Sequence, residues 1–504
     1  MKRRNLFIFL AMASLILPAC EKFLDKNPPD QIASQTFWKS ENDAKMALAG
    51  VYSFLLSGTY NINRIDWDAM SDDFFMFGSY GQVDKIAKGI VESSTTGIVV
   101  SIYADSYKGI SACNIFLDNI DRAPLSDNLK NTYKGEVLFL RSLFYFTLTE
   151  IYGDVPFYGA SVTLENAYVK QTPKSEVVEK ILADLNIAAG LLPDVAYAGH
   201  AVKGSALALM AKICLHNKKW QQAADAANMV IQGNKFSLSN NYNNLFLAAG
   251  QEKNPEIIFS ARYLNPDRSA LTTDIEGPDH KYGAGAALNA NQKFIDEFEC
   301  TDGLPISNSP LYDPGSIMDN RDPRLNYTIR LATEKIVNPA NGLSFTNSLS
   351  GLYTHYLVRK YVDPTHLPFD YTTRSDQDFV HLRYAEVLLI YAEAKNEANG
   401  PDQSVYDAVN KVRARTGVNM PPIPTGLDQN EMRERIRHER RVELGGEGYR
   451  YLDIKRWKTA EVVIPAIIDP GGIARNFNPN KNYVFPFPQS EIDVNPNLEQ
   501  NPNY

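Results

Sequence analysis

The sequence predicts a mainly α-helical protein, in which a scaffold of helices carries an irregular insert of loops and short strands. Three observations support this. Apolar residues recur at helical spacing through about 38–232 and again through about 378–460. The stretch between, about 233–377, is rich in Asn, Gly, Pro and Tyr and holds only short alternating pieces. The composition, 44% hydrophobic and 22% charged over 504 residues, is that of a globular chain able to bury a large core.

The chain opens on Lys2, Arg3 and Arg4, runs through an uncharged stretch from Leu6 to Leu17, and places Ala19 just before Cys20. This pattern predicts a secretory signal over 1–19. The apolar run falls short of the roughly 18–20 residues a spanning helix needs. Leu17, Pro18, Ala19 and Cys20 resemble a bacterial lipobox, whose cysteine is acylated and becomes the first residue after cleavage; Pro18 departs from that pattern. The plainer alternative is an ordinary signal peptide with a nearby buried cysteine. Acylation by several chains would anchor the protein stably, at about 0.8 kcal/mol per buried methylene. Residues 20–37, polar and containing Pro28 and Pro29, then read as a lipidated tether, and 38–504 as one body.

Ser40, Glu41, Asn42 and Asp43 form a helix start, continued at helical spacing by Ala44, Leu48, Val51, Tyr52 and Leu55. Between Gly58 and Gly97 the pattern breaks into glycine, aspartate and aromatics, including Trp67, Phe74, Phe75, Phe77 and Tyr80, which predicts a long loop of the kind that often carries function. Helices are expected over 102–120, 129–152, 174–191, 202–217 and 220–231, the second ended by Gly153 and Pro156. In the last two, Leu207, Ala211, Cys214, Ala223 and Val230 suit either a tetratricopeptide pair or a generic helical hairpin. Strands are expected at 257–263 and 327–331, then helices at 379–398, 404–416 and 430–444, and a C-terminal tail over 461–504.

Several chemistries find no support. The balance of 51 basic to 59 acidic residues, net −8, and the lack of a basic run argue against nucleic acid. HExxH, GxSxG, a phosphate loop and GxGxxG after a strand are missing; Gly283, Ala284 and Gly285 read as a turn. No two histidines stand four apart, so no helical metal site is expected; His216 and His381 read as surface or capping residues. Cys113, Cys214 and Cys300 read as small apolar side chains. Asp72 and Asp73 could mimic a glycosidase pair, but adjacent loop carboxylates read better as solvated. The Arg and Glu residues of 431–443 balance, and read as an exposed helix laced by pairs such as Glu431 with Arg435. No cofactor or metal is expected.

Separated motifs resemble the SusD/RagB family of Bacteroidetes outer-membrane lipoproteins. Cys20, Phe23, Leu24, Asp25 and Pro28 are similar to its opening. Glu136 to Tyr145, with Tyr152, Gly153, Asp154, Val155 and Pro156, resemble its long helix. Leu382 to Leu389 with Tyr391 to Ala394, then Arg440 to Leu444 and Glu447 to Trp457, resemble its later helices; Gly445 and Gly446 replace the usual small and aromatic pair, which would loosen that helix end. Tyr483 to Pro488, and Glu491 onward to Tyr504, resemble its closing tail.

The resemblance implies a SusD-like fold of tetratricopeptide-like helix pairs with a loop-and-short-strand insert. It further implies a surface-exposed lipoprotein of the outer membrane that binds a glycan and delivers it to a SusC-like TonB-dependent transporter, without being an enzyme. Alternatives are a peptide binder of the same fold, a structural lid for the transporter, or an anchored glycoside hydrolase. Arg383, Glu386, Arg441, Glu443, Asp453 and Arg456 are expected to tie helices together, since buried charges persist when paired. A sugar needs flat aromatic platforms for its C–H faces and planar polar groups for its hydroxyl rim. Arg64, Trp67, Phe77 and Tyr80 in the early loop, and Tyr282, Asn289, Asn291 and Tyr312 in the insert, are the candidates. Burial competes with exposure for Trp67 and Phe77; Tyr80 and Tyr282, each followed by glycine, are favoured.

Overall fold

The computed structural model describes residues 37–264, 270–271, 287–347, 354–367, 369 and 374–504. Helix α1 (Glu41–Tyr52) starts on a reciprocal cap: the Asp43 N–H donates to Ser40 Oγ at 3.1 Å, and the Ser40 N–H donates to the Asp43 carboxylate at 2.9 Å. Both groups are otherwise orphaned at a helix start. Helices α2 (Ile98–Asn119), α3 (Asp127–Tyr152), α4 (Lys174–Leu191), α5 (Lys203–His216) and α6 (Trp220–Gln232) follow, each packed on the next. Gly109 lets α2 and α3 touch, because a Cβ there would lie 2.6 Å from Phe144 Cε2. Helix α3 buries nearly every residue from Tyr133 onward and stops at Gly153, whose φ of +78° suits only glycine well.

The stack does not end at the insert. Helix α6 packs on α7 (Tyr384–Asn399), across the whole insert in sequence, and α7 packs on α8 (Gln403–Arg413) and α9 (Gln429–Leu444). Tetratricopeptide-like helix pairs therefore make one scaffold from two separated stretches, with a continuous apolar core drawing residues from both.

The insert contributes strands. β1 (Phe74–Met76), β3 (Leu288–Ala290), β5 (Tyr356–Val358) and β4 (Ile329–Leu331) form an antiparallel sheet in the order β1-β3-β5-β4. β2 (Ile257–Ala261) pairs with β6 (Phe379–Arg383). Among the described residues no helix is long and apolar enough to cross a membrane.

Four sequence expectations are corrected. Residues 379–383 form β6 rather than the start of α7; all five are buried, and a short buried run reads alike as strand or helix until its partner β2 is known. Residues 327–328 close a short helix, Pro323–Thr328, so the strand there is only β4. Residues 58–97 are not a plain loop but hold a 3₁₀ helix (Ile62–Met70), β1 and a short helix (Val83–Ala87). His216 and His381 are buried, not surface or capping: His216 Nδ1 lies 2.8 Å from the Glu150 carboxylate, and His381 sits within β6.

The charges of α9 are corrected as well. Glu439, Arg440 and Glu443 are buried, and most of the arginines reach other elements, while Arg437 keeps a pair one turn away with Glu434 at 3.2 Å. Arg433 pairs with Glu397, and Arg435 with Glu299 at 2.9 Å. Arg440 meets Asp453 at 2.7 Å, and Arg456 meets Glu393 at 2.6 Å and Asp453 at 2.8 Å. Arg383 gathers Glu256, Glu443 and Glu447 at 3.0, 2.6 and 2.8 Å. The six expected helix ties, Arg383, Glu386, Arg441, Glu443, Asp453 and Arg456, are all paired in this way.

Candidate functional site

The early segment is pinned at its base and reaches the surface at its tip. At the base, the buried Asp68 carboxylate accepts the N–H groups of Gly448 at 2.9 Å and Arg450 at 3.1 Å; burial pushes it up to about 7. Asp72 and Asp73 are buried rather than solvated. Asp72 meets Arg441 at 3.0 Å and Arg450 at 2.9 Å, and Asp73 meets Arg441 at 2.6 Å. Burial opposes ionisation of both; for Asp72 the two guanidiniums outweigh it and hold the carboxyl well below the usual range. Buried Arg475 closes the base by donating to the carbonyls of Ser71 and, at 2.8 Å, Phe74, while its charge meets Asp469 at 2.6 Å.

From that base β1 carries the chain outward along β3, with Phe75 opposite Asn289 and the Phe77 N–H donating to Ala287 O at 2.7 Å. The tip turns at Gly78 and Gly81, whose φ values are +81° and +56°. Tyr80, 38% exposed, lays its ring over Gly78. Gly97, the residue before α2, lies so close under the tip that a Cβ would stand 2.4 Å from Gly81 O. Between tip, 3₁₀ helix and α2 opens a cleft of about 140 Å³, walled by Thr59, Asn63, Asp66, Trp67, Gly81 and Ser101.

The structure distributes the sequence candidates unevenly. Tyr80 reaches the surface, and Phe77 is half-buried behind it. Trp67 is 1% exposed although it lines the cleft; Arg64 stacks on its ring, guanidinium 3.4 Å from the ring centre, with burial pushing Arg64 down to about 10. Asn289 lies inside β3 with its amide donating to Ala287 O. Buried Asn291 joins β3 to the early base, donating from its amide to Asp72 O at 3.1 Å and from its backbone to Asp73 O at 2.7 Å. Trp67, Asn289 and Asn291 are thus all buried in the framework of the site. Tyr312 is half-buried beside Arg321, on the insert that shares the sheet with β1. Cys20 and Tyr282, like the turn at 283–285, lie outside the described residues.

A second concavity had no sequence expectation. A groove of about 1030 Å³ is lined by Met46 and Tyr52 of α1, Tyr133 of α3, His200, and Ser260 and Tyr263 at the end of β2. Beneath it lies the buried Glu136 carboxylate, which accepts from Tyr52 Oη at 2.5 Å and from His200 Nδ1 at 2.8 Å. That contact raises the imidazole pKa and leaves Nε2 for the groove. Because the lining residues come from four distant segments, no local spacing announces them.

These elements make a helix-pair scaffold bearing a sheet-supported, loop-built face. Two family models divide most of the chain: the one described as the SusD family matches residues 255–504, and one described as starch-binding associating with outer membrane matches 22–215. A curated SusD-like protein of Formosa agariphila is 27% identical, with both chains covered in full. Two crystal structures from Bacteroides fragilis NCTC 9343 share the fold. One, of a SusD-like carbohydrate binding protein, superposes with a TM-score of 0.81 at 29% identity, covering 92% of this chain and 100% of that one. The other, of a SusD-like protein, gives 0.80 at 27% identity, covering 95% and 100%. The chain belongs to the SusD family.

Proposed function

We propose that this protein is a non-catalytic, surface-exposed lipoprotein of the outer membrane, anchored through Cys20, which binds a glycan and delivers it to a SusC-like TonB-dependent transporter. The observation that carries the reading is the tip of the early segment. An exposed tyrosine ring near a cleft walled by hydroxyl, amide and carboxylate groups, held on a buried, ion-paired base, matches what a sugar offers, an apolar face and a hydroxyl rim. Rigid support below and an open platform above keep the ordering cost of binding low. The related carbohydrate binding structure at 29% identity supports the same ligand class.

Calorimetric titration of the purified body against a glycan panel tests this, with Tyr80→Ala alongside. A ligand in the panel, bound at least about tenfold more weakly by Tyr80→Ala, is the expected result. A panel without any ligand overturns it. Release of shorter sugars on incubation, abolished by replacing one carboxylate, would make the protein a hydrolase instead. Mass spectrometry of the membrane fraction should find the Cys20 thiol acylated.

A further inference from the structure

We propose that a narrow chamber beside Arg64 and Lys212 binds one small inorganic anion, of which chloride is the type. The inference stands independently of the glycan reading. The chamber, of about 30 Å³, lies where the 3₁₀ helix (Ile62–Met70), α3, α5, β6 and the segment after α9 meet. Its polar lining includes Arg64, Thr147, Lys212, His381, Glu447 and Tyr449. A polar space of that volume admits one or two particles the size of water, and no sugar or peptide.

Charge decides what fills it. A guanidinium taken out of water requires a counter-charge. Arg383 and Arg440 meet carboxylates at 2.6 and 2.7 Å, but Arg64 forms no ion pair among the described residues; its guanidinium stacks on the Trp67 ring instead. Lys212 brings a second positive charge, and its partner Glu386, at 3.0 Å, is shared with Arg440 at 3.4 Å. The carboxylate in the wall, Glu447, is already held by Lys360 and Arg383, each at 2.8 Å. Among the described lining residues, two cations therefore stand against one carboxylate. His381 feels the excess: burial, Arg64 and Lys212 together push it down to about 3. Its Nε2 is buried without a hydrogen-bond partner, and becomes a donor to the anion once protonated. Trp67 also lines the cleft under the Tyr80 tip, so an anion that fixes Arg64 also steadies the ring stacked on it.

Crystals grown in sodium bromide in place of sodium chloride test this directly. Bromide, located by its anomalous scattering, should occupy the chamber within hydrogen-bonding reach of Arg64. A chamber holding water alone, or bromide at surface positions alone, overturns the proposal. Urea unfolding gives an independent readout, with chloride exchanged for gluconate, which is too large to enter, at constant ionic strength. The native chain should be more stable in chloride, and above saturation each tenfold rise in chloride should raise the folding constant about tenfold. Arg64→Met, which keeps a long side chain beside Trp67 without the charge, should lose that dependence. Equal stability in the two salts, or a chloride effect undiminished in Arg64→Met, overturns the proposal. Should Arg64→Met not fold, the bromide position in the native protein decides alone.

Discussion

The charged seam along α9 and the tip at residues 78–82 are both built largely of polar residues and glycine, and they behave as opposites. In the seam, Arg324, Arg383 and Arg415 each meet at least two carboxylates, with Glu443 shared among all three, and every one of these side chains is almost wholly removed from water. In the tip the backbone folds through left-handed positions at Gly78, Gly81 and Gln82 and leaves Tyr80 at the surface. Buried charges tolerate no rearrangement because any unpaired member keeps its desolvation cost. An exposed ring on glycines carries no such constraint. The motifs around Arg383 and around Glu443 that resemble the family's lie in this seam.

The largest effect should come from breaking the seam. Arg383→Ala removes a guanidinium that serves Glu256, Glu443 and Glu447 together. Stranding buried carboxylates costs about 3–5 kcal/mol for one lost partner. Urea unfolding should show a loss of at least that size or a protein that does not fold; a loss below about 1 kcal/mol would mean that the seam is not rigid and would dissolve the contrast.

Asp68, where the early segment meets the seam, sharpens the contrast through pH. Its carboxyl titrates near 4 when unfolded and at about 7 in the fold. Between those values the folded state holds the extra proton, so this group's contribution to stability falls as pH rises, by about 2–4 kcal/mol in full. Asp68→Asn abolishes that titration. Measured by urea unfolding at about pH 5 and about pH 8, the stability of the native chain relative to the variant should decline toward the higher pH. A flat or opposite difference would show that the two backbone N–H groups outweigh burial.

Gly445 is next in size. The sequence reads Gly445 and Gly446 as a loosened helix end, yet the structure ends α9 at Leu444 and brings Phe294 so near that a Cβ on Gly445 would stand 2.3 Å from its Cζ. Glycine here permits close packing. Gly445→Ala should cost about 1–3 kcal/mol through overpacking, visible as a lowered urea midpoint at unchanged slope.

Much of the scaffold was legible because its signals are local. The Ser40 cap, the Gly153 stop and the apolar spacing of α3 through α6 each depend on residues within a few turns. What was not legible depends on distant partners. Asp72 and Asp73 look solvated until Arg441, 368 positions from Asp73, is folded against them. The run 379–383 looks helical until β2 pairs with it. Among the site candidates, Tyr80 followed by Gly81 carried a local hint of exposure, whereas Asn289 and Asn291 looked like surface amides because nothing nearby in sequence marks a buried strand. The groove residues left no sequence trace.

The smallest stability effect should fall at the tip, and it decides whether the contrast has functional content. Tyr80 lies over Gly78, and 38% of its surface is open to water. Exposed substitutions away from caps and networks change stability by about 0.5 kcal/mol or less. Tyr80→Ala should therefore unfold in urea within that margin of the native chain while losing glycan affinity. A loss above about 1 kcal/mol would mean that the ring props the turn, and any weakened binding would then report a collapsed tip rather than a missing platform. Tyr80→Phe separates the remaining alternatives: retained affinity assigns the contact to the ring face, and lost affinity assigns it to the hydroxyl.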